Sequence, residues 1–196
     1  MKKCGPMKNI FRDNSDQDLI KAIGNRNHQA FERIVNRYKK PIYNFVYRYL
    51  QDHFSAEEVV QELFLRVYRA APKYKAVNNT KASTWIFKIA FNLSMNELKR
   101  RKRHLRLMGD RVVEREMFAE TKTPGAVEDK EITESIMSGV RLLPEKQRAA
   151  LLLRVQQGFS YLEISEILNT TVSSVESLIY RARQRLKQYV NMEHKE

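Results

Sequence analysis

The stretch from residue 160 to 186 limits what this chain can become more than any other, because it reads as two helices forced into a sharp turn. Gly158 is placed to end a preceding helix as a left-handed cap, and Pro144 suits that helix's first turn, where a missing N–H costs nothing. Ser160-Tyr161-Leu162-Glu163 follows as a capping box, its hydroxyl and carboxylate accepting from two N–H groups the helix leaves unpaired. Leu162, Ile164, Ile167 and Leu168 supply the apolar side chains of this short helix. Asn169-Thr170-Thr171 is turn chemistry. From Val172 onward, Val172, Val175, Ile179, Ala182 and Leu186 recur at steps of three or four, an inward stripe. The opposite face carries Ser173, Ser174, Ser177, Arg181 and Gln184, flanked by Tyr180, Arg183 and Lys187. This is the pattern of a helix-turn-helix whose second helix enters the major groove. Small hydroxyls near its start permit close approach to base edges, and arginines further along reach guanine or phosphate. An ordinary helical hairpin with a solvated basic face would show the same apolar spacing, so the rest of the chain decides.

Charge is the next discriminator. The chain carries +13 over 196 residues, and the excess is uneven. Residues 1–107 hold 23 Lys and Arg against 9 Asp and Glu, net +14. Residues 108–134 hold 4 against 8, net −4, and residues 135–196 hold 9 against 6, net +3. Two basic blocks around an acidic connector fit two nucleic-acid-facing modules on a linker. The hydrophobic share of 42% suffices for compact cores, and 6 Gly with 5 Pro favour helices over a turn-rich β architecture. The single cysteine, Cys4, leaves no intramolecular disulfide and no multi-cysteine zinc site. No apolar run approaches a membrane span and residues 1–6 lack a signal-peptide core, so a cytoplasmic protein without a membrane span is expected.

In chain order, residues 1–15 are polar. Helical periodicity begins at Asp16 with Leu19, Ile20 and Ile23 and breaks at Gly24-Asn25. A second helix carries Ala30, Phe31, Ile34, Val35 and Tyr38, and Pro41 is expected to open a third with Ile42, Phe45, Val46, Tyr49 and Leu50 inward. Ser55 and Glu58 read as a second capping box, launching a helix with Val59, Val60, Leu63, Phe64, Val67 and Tyr68 that Pro72 closes. A polar, basic loop at 73–82 bears Tyr74, and a helix from Ser83 to about Arg103 follows. Residues 108–130 read as a linker, with a short helix around 112–118 and a break at Thr123-Pro124-Gly125. From Glu131 a helix with Ile132, Ile136, Met137 and Val140 leads to the supporting core of Leu151, Leu152, Leu153 and Val155.

Two surfaces of the first block exceed what packing demands. Glu57, Glu58, Gln61, Glu62, Leu65 and Arg66 line the outward side of the helix at 55–70, an acidic patch in a basic domain that suggests a protein partner. A solvated face with a Glu62–Arg66 pair, worth only ~0.3–0.5 kcal/mol, explains it equally well. On the next helix Lys88, Asn92 and Asn96 form a polar row that the basic run 99–103 continues, including Lys99, Arg100 and Arg101. With Tyr74 in the loop and Trp85 at the helix start, this suits single-stranded DNA, because aromatic faces stack unpaired bases while cations follow the backbone. Phe87 and Phe91 read as core. The four histidines (His28, His53, His104, His194) are dispersed, no paired Asp cluster suggests a two-metal site and no Gly-rich phosphate loop occurs. No catalytic residue, metal or cofactor is therefore expected.

Four ordered motifs give the chain a resemblance to bacterial RNA polymerase sigma factors of the two-domain extracytoplasmic-function type. The run from Ser55-Ala56-Glu57-Glu58 to Val67-Tyr68-Arg69 looks like that family's core-polymerase-binding helix. Thr84-Trp85-Ile86-Phe87-Lys88-Ile89-Ala90-Phe91-Asn92-Leu93, with Asn96-Glu97-Leu98-Lys99-Arg100-Arg101, resembles its promoter-melting segment. Leu143-Pro144-Glu145-Lys146-Gln147-Arg148 and Gly158-Phe159-Ser160-Tyr161-Leu162-Glu163-Ile164 resemble the start of its second domain. The segment from Ser174-Val175-Glu176-Ser177 to Arg181-Ala182-Arg183 resembles its recognition helix.

The resemblance implies an all-α chain of two small helical domains, residues 16–107 and 131–190. The first would dock core RNA polymerase through Glu57, Glu58, Gln61, Glu62, Leu65 and Arg66, and capture flipped minus-10 bases with Tyr74, Trp85, Lys88, Asn92, Asn96, Lys99, Arg100 and Arg101. The second would read the minus-35 major groove with Ser173, Ser174, Glu176, Ser177, Tyr180, Arg181, Arg183 and Gln184. Two positions depart from the pattern: Glu176 and Leu178 stand where many members carry a basic residue. A carboxylate there can accept from cytosine N4 but repels phosphate, which implies a narrower or weaker upstream contact. Few residues follow Tyr189, so the resemblance implies control by a separate anti-sigma factor or by expression level. A helix-turn-helix regulator acting alone on duplex DNA is the competing reading; it leaves the acidic patch and the 85–103 segment unexplained.

Overall fold

Ser15 caps the first helix, its hydroxyl accepting from the Asp18 N–H at 3.3 Å. The computed structural model describes residues 15–74, 81–107 and 137–193, and every regular element among them is helical. Helix α1 (Asp16–Gly24) buries Leu19, Ile20 and Ile23. Helix α2 (His28–Leu50) is capped by Asn27, whose side chain accepts from the Ala30 N–H at 3.0 Å. Here the sequence reading is corrected: Pro41 lies inside α2 rather than opening a new helix. Its ring removes one backbone hydrogen bond, at a cost of ~3 kcal/mol. The stripe of Ile34, Tyr38, Ile42, Phe45, Val46 and Tyr49, all buried, runs unbroken across it and outweighs that local penalty.

Helix α3 (His53–Ala70) corrects a second expectation. Asp52 is its cap, accepting from the Phe54 N–H at 3.1 Å. Ser55 is the third residue of the helix, buried, and its hydroxyl meets Glu97 and Arg101 instead of capping a helix start. A 3₁₀ turn (Ala71–Lys73) containing Pro72 follows. Helix α4 (Ala82–Leu107) runs about one turn past the expected end and turns Ile86, Phe87, Ala90, Phe91, Leu93 and Leu98 inward. The four helices surround Phe45, Tyr49, Leu63 and Ile86.

The second group begins with a helical turn over 137–141. Gly139 lets it lie against the last helix, since a Cβ there would stand 2.8 Å from Leu186 Cδ2 and 2.9 Å from Tyr189 Cδ1. Helix α5 (Glu145–Gln157) has Pro144 just before its first residue and ends at Gly158 with φ +69°, the left-handed conformation that the sequence predicts. Helices α6 (Tyr161–Leu168) and α7 (Val172–Glu193) complete it around Leu153, Ile164, Ile167, Val175, Ile179 and Ala182. Three expected core positions are exposed instead: Val155, Leu162 and Val172 sit on the outer sides of their helices, where no neighbouring element covers them. The linker 108–130, its short helix at 112–118 and the start of the helix at 131 lie outside the described residues. Helices α5 and α6 pack on α2 and α4, joining the two groups.

Candidate nucleic-acid interface

The α6–α7 pair is set by local chemistry. Ser160 accepts from the Glu163 N–H at 3.3 Å while the Glu163 carboxylate accepts from the Ser160 N–H at 2.8 Å, the reciprocal box read from the sequence. Burial pushes the Glu163 carboxyl up, but the Ser160 N–H and hydroxyl and the Lys81 ammonium outweigh it, and the net shift is downward. Asn169, at φ +50°, reverses the chain, and the Thr170 N–H donates to the Ser165 carbonyl at 3.0 Å. Thr171 then caps α7, its hydroxyl oxygen accepting from the Ser174 N–H at 3.2 Å. Val175, Ile179 and Ala182 are fully inward. This leaves Ser173, Glu176, Ser177, Tyr180, Arg181, Arg183 and Gln184 exposed along one continuous outer surface, as expected of a groove-reading helix. Ser174 differs: it is half-buried and its hydroxyl is hydrogen-bonded to Thr171 at 2.8 Å, so it serves the cap first.

On α4 the structure brings together Asn92, Asn96 and Lys99 as exposed neighbours, with Lys88 half-buried beneath them. Phe87 and Phe91 are core. Tyr74 and Trp85 stand beside each other, ring centroids 4.8 Å apart and tilted by 52°. The Tyr74 hydroxyl is buried with no partner among the described residues, and burial raises its pKa. Trp85 is only half-buried, so part of its ring remains open to a stacking base.

Arg101 leaves the row. Its guanidinium donates to Glu97 Oε1 at 2.9 Å and also pairs with Asp52 and Ser55. It thus ties α4 to the first turn of α3 and faces away from the Asn92–Asn96 side. Arg100 stays exposed but grips the same Glu97 with two bonds, of 2.7 and 2.9 Å. Arg100 holds the Glu97 carboxyl below the ordinary glutamate range; burial opposes this and Arg101 adds to it. For Asp52, burial raises the pKa, while Ser55, Arg101 and the Phe54 N–H lower it further, leaving it depressed. Because all three folded pKa values lie below their unfolded ones, the stability these carboxylates contribute is complete at neutral pH. It declines as pH falls below about 4 and is lost once the folded values are passed. The melting temperature is expected to be flat above about pH 5 and to fall steeply below about pH 4, with a shallower fall in Glu97→Gln. An identical acid slope in that variant would contradict the role given to Glu97.

The acidic face of α3 is arranged as expected. Glu57, Glu58, Gln61, Leu65 and Arg66 are exposed and Glu62 is half-exposed, bridged to Arg66 at 2.7 Å. This i,i+4 pair stabilises the helix by only ~0.3–0.5 kcal/mol and leaves the carboxylates available to a partner. Among the described residues no group of three His, Cys, Asp or Glu could hold a metal ion, and no helix is long and apolar enough to cross a membrane. The sequence reading missed the residues joining the two groups, chiefly Lys81, Lys102, Arg141, Arg148 and Phe159. Basic side chains default to solvent in any sequence reading, and no local pattern marks one that crosses between domains.

Comparison with known proteins agrees with this geometry. Residues 34–104 match the family model for sigma-70 region 2, and residues 133–186 match that for sigma-70 region 4. The ECF RNA polymerase sigma factor SigW of Bacillus subtilis is 32% identical over 176 residues, 86% of this chain and 92% of that protein. The RNA polymerase sigma-H factor of Pseudomonas aeruginosa is 29% identical over 182 residues, 89% and 93% of the two chains. Among solved structures, the sigma factor RpoE of Bartonella quintana, in complex with the anti-sigma factor NepR, superposes with a TM-score of 0.69 at 19% identity, covering 82% of this chain and 96% of that one. CnrH, in complex with the cytosolic domain of CnrY, gives 0.67 at 18%, covering 91% and 99%. At those identities the structures speak for the fold, while the near full-length match to SigW settles ancestry: the chain belongs to the extracytoplasmic-function (ECF) RNA polymerase sigma factors.

Proposed function

We infer that this chain binds core RNA polymerase and directs it to specific promoters. The observation that supports this best is one chain carrying three surfaces of different chemistry. These are an exposed acidic face on α3, an amide-and-lysine row on α4 and a groove-reading face on α7. Glu57, Glu58, Gln61, Glu62, Leu65 and Arg66 dock the polymerase. Trp85, Lys88, Asn92, Asn96 and Lys99, with Tyr74 beside them, hold unpaired minus-10 bases. Ser173, Ser177, Tyr180, Arg181, Arg183 and Gln184 face the minus-35 groove, with Glu176 restricting which base pair is accepted.

Strand opening needs no chemistry from the protein. Pockets that bind only unstacked bases shift the duplex equilibrium by their differential affinity for open DNA. The chain therefore acts as a non-enzymatic initiation factor in the cytoplasm, where polymerase and promoter DNA meet. The structural neighbour RpoE, in complex with the anti-sigma factor NepR, supports a comparable anti-sigma partner here.

Co-elution of the purified chain with core polymerase in size-exclusion chromatography tests the docking directly. A stoichiometric complex is expected. Glu62→Lys reverses one charge on an exposed face, so the fold is retained while affinity for core polymerase falls, on the order of tenfold, about 1.4 kcal/mol. Equal affinity of variant and parent would remove Glu62 from the docking surface, and no complex at all would overturn the assignment.

A further inference from the structure

A buried hydroxyl inside the first domain depends on a sulfur atom. Tyr49, near the end of α2, is 0% exposed. Its ring stacks on Phe45 at 5.9 Å and 13° and meets Phe91 of α4 edge to face at 6.1 Å and 63°. Burial pushes the hydroxyl above the ordinary tyrosine range, so it stays an O–H donor at every working pH. Among the described residues its acceptor is Sδ of Met95 on α4, at 2.8 Å. A thioether is a weak acceptor, and an oxidant can change it chemically.

Met95 packs against the core but is only half-buried, so part of its side chain stays open to a small oxidant. Hypochlorous acid converts a thioether to a sulfoxide in a two-electron step. Sulfur gains one oxygen and gives up two electrons, chlorine is reduced to chloride, and one proton is released. The 2.8 Å gap to Tyr49 has no room for that oxygen, since two hydrogen-bonded oxygens alone stand about 2.5–3.0 Å apart. If the oxygen takes the lone pair that faces Tyr49, the ring or α4 must move. If it takes the other lone pair, the sulfur becomes electron-poor and stops accepting. Both epimers therefore leave the Tyr49 hydroxyl buried without a partner, a larger loss than the bond's own net contribution.

The position of this contact ties it to the site. Met95 lies three residues after Asn92 and one before Asn96, so a displacement of α4 at Met95 moves the row of Lys88, Asn92, Asn96 and Lys99. Met192, 73% exposed near the end of α7, is a more accessible methionine with no place in this core. We propose that Met95 is an oxidation-sensitive modification site: hypochlorous acid converts its thioether to the sulfoxide, the Tyr49 hydroxyl loses its acceptor, and the strand-holding face of α4 is disabled until a methionine sulfoxide reductase restores the thioether. In that reversal the oxygen leaves as water while a dithiol becomes a disulfide. The loss of strand holding rests on the sigma-factor reading; the modification and its effect on stability do not.

The test treats full-length chain carrying Cys4→Ser with graded hypochlorous acid, quenches it with free methionine, and then adds untreated core polymerase and genomic DNA fragments. Tryptic peptides 89–99 and 188–195 each contain one methionine, Met95 and Met192, so mass spectrometry reads the two separately. Chain-dependent transcription is expected to fall in step with the Met95 sulfoxide fraction, and the melting temperature by at least about 4 °C. Methionine sulfoxide reductase is expected to restore both, which separates this lesion from chlorination of lysine or tyrosine. The double variant Tyr49→Phe, Met95→Leu removes donor and acceptor together, leaving no buried group unpartnered and the apolar volume nearly unchanged. It is expected to fold, to support transcription and to resist the oxidant, whereas Met192→Leu should remain as sensitive as the parent. Met95 left as thioether after Met192 is fully oxidised would overturn the proposal. So would Met95 sulfoxide with unchanged melting, or a double variant inactivated as steeply as the parent. If the untreated chain supports no transcription, the sigma reading falls by itself. The modification site then stands or falls on the Met95 peptide and the reversible loss of melting temperature.

Discussion

Replacing Phe45 by alanine is expected to destabilise the first domain by about 3–5 kcal/mol, the range for removing a fully buried phenylalanine. Phe45 is 0% exposed, stacks on Tyr49 at 5.9 Å and 13°, and meets Phe87 edge to face at 5.8 Å and 66°. The void left between α2 and α4 cannot collapse easily, because both helices are fixed elsewhere by the Glu97–Arg101–Asp52 network and by α1. At about 4–8 °C per kcal/mol for a domain of this size, the melting transition should fall by well over 10 °C. Urea unfolding followed by helical signal checks the magnitude. A loss below about 1 kcal/mol would show that the α2–α4 contact is not the centre of the domain. Phe87 also backs the helix that carries Lys88, Asn92 and Asn96, so promoter opening should fail at temperatures where the parent still works.

Arg181→Ala is expected to cost about 1–3 kcal/mol of upstream discrimination, roughly 5- to 150-fold at one base pair, if the guanidinium reads a base edge. Arg181 is exposed, and the helix beneath it is anchored by Ile179 and Ala182, so folding stability should change by no more than about 0.5 kcal/mol. Affinity of the polymerase complex for a panel of single-base minus-35 variants provides the measurement. Preference should flatten at one position and stay intact at the others. A uniform loss with a smaller salt dependence would assign Arg181 to phosphate instead, and unchanged discrimination would remove it from the interface.

Much of the second domain was legible because its signals are local. The Ser160–Glu163 box, the left-handed Gly158 and the turn at Asn169 each involve residues within four positions, and each formed where the sequence placed it. The errors arose where a distant partner decided. Pro41 looks like a helix start, yet the stripe from Ile34 to Tyr49 gains more by continuing through it. Ser55 and Glu58 have capping-box spacing, but Asp52 is three residues earlier and Ser55 is claimed by α4. Arg101 belongs to a basic run by sequence, and its second carboxylate partner lies 49 residues away. Arg148 is more extreme: its carbonyl acceptor on Tyr49 is 99 residues upstream, and no periodicity records that distance. The exposed rows on α3, α4 and α7 were readable for the opposite reason, since a polar side chain at helical spacing needs no partner to end up facing solvent.

Transcription reconstituted from core polymerase, the purified chain and a pool of genomic DNA fragments tests the central assignment most directly, with RNA 5′ ends mapped by sequencing. Chain-dependent transcripts are expected to begin downstream of a shared pair of sequence elements, and both the dependence and the shared elements should disappear when the chain is omitted. Transcripts that are the same with and without the chain, while it binds duplex DNA tightly and specifically on its own, would contradict it.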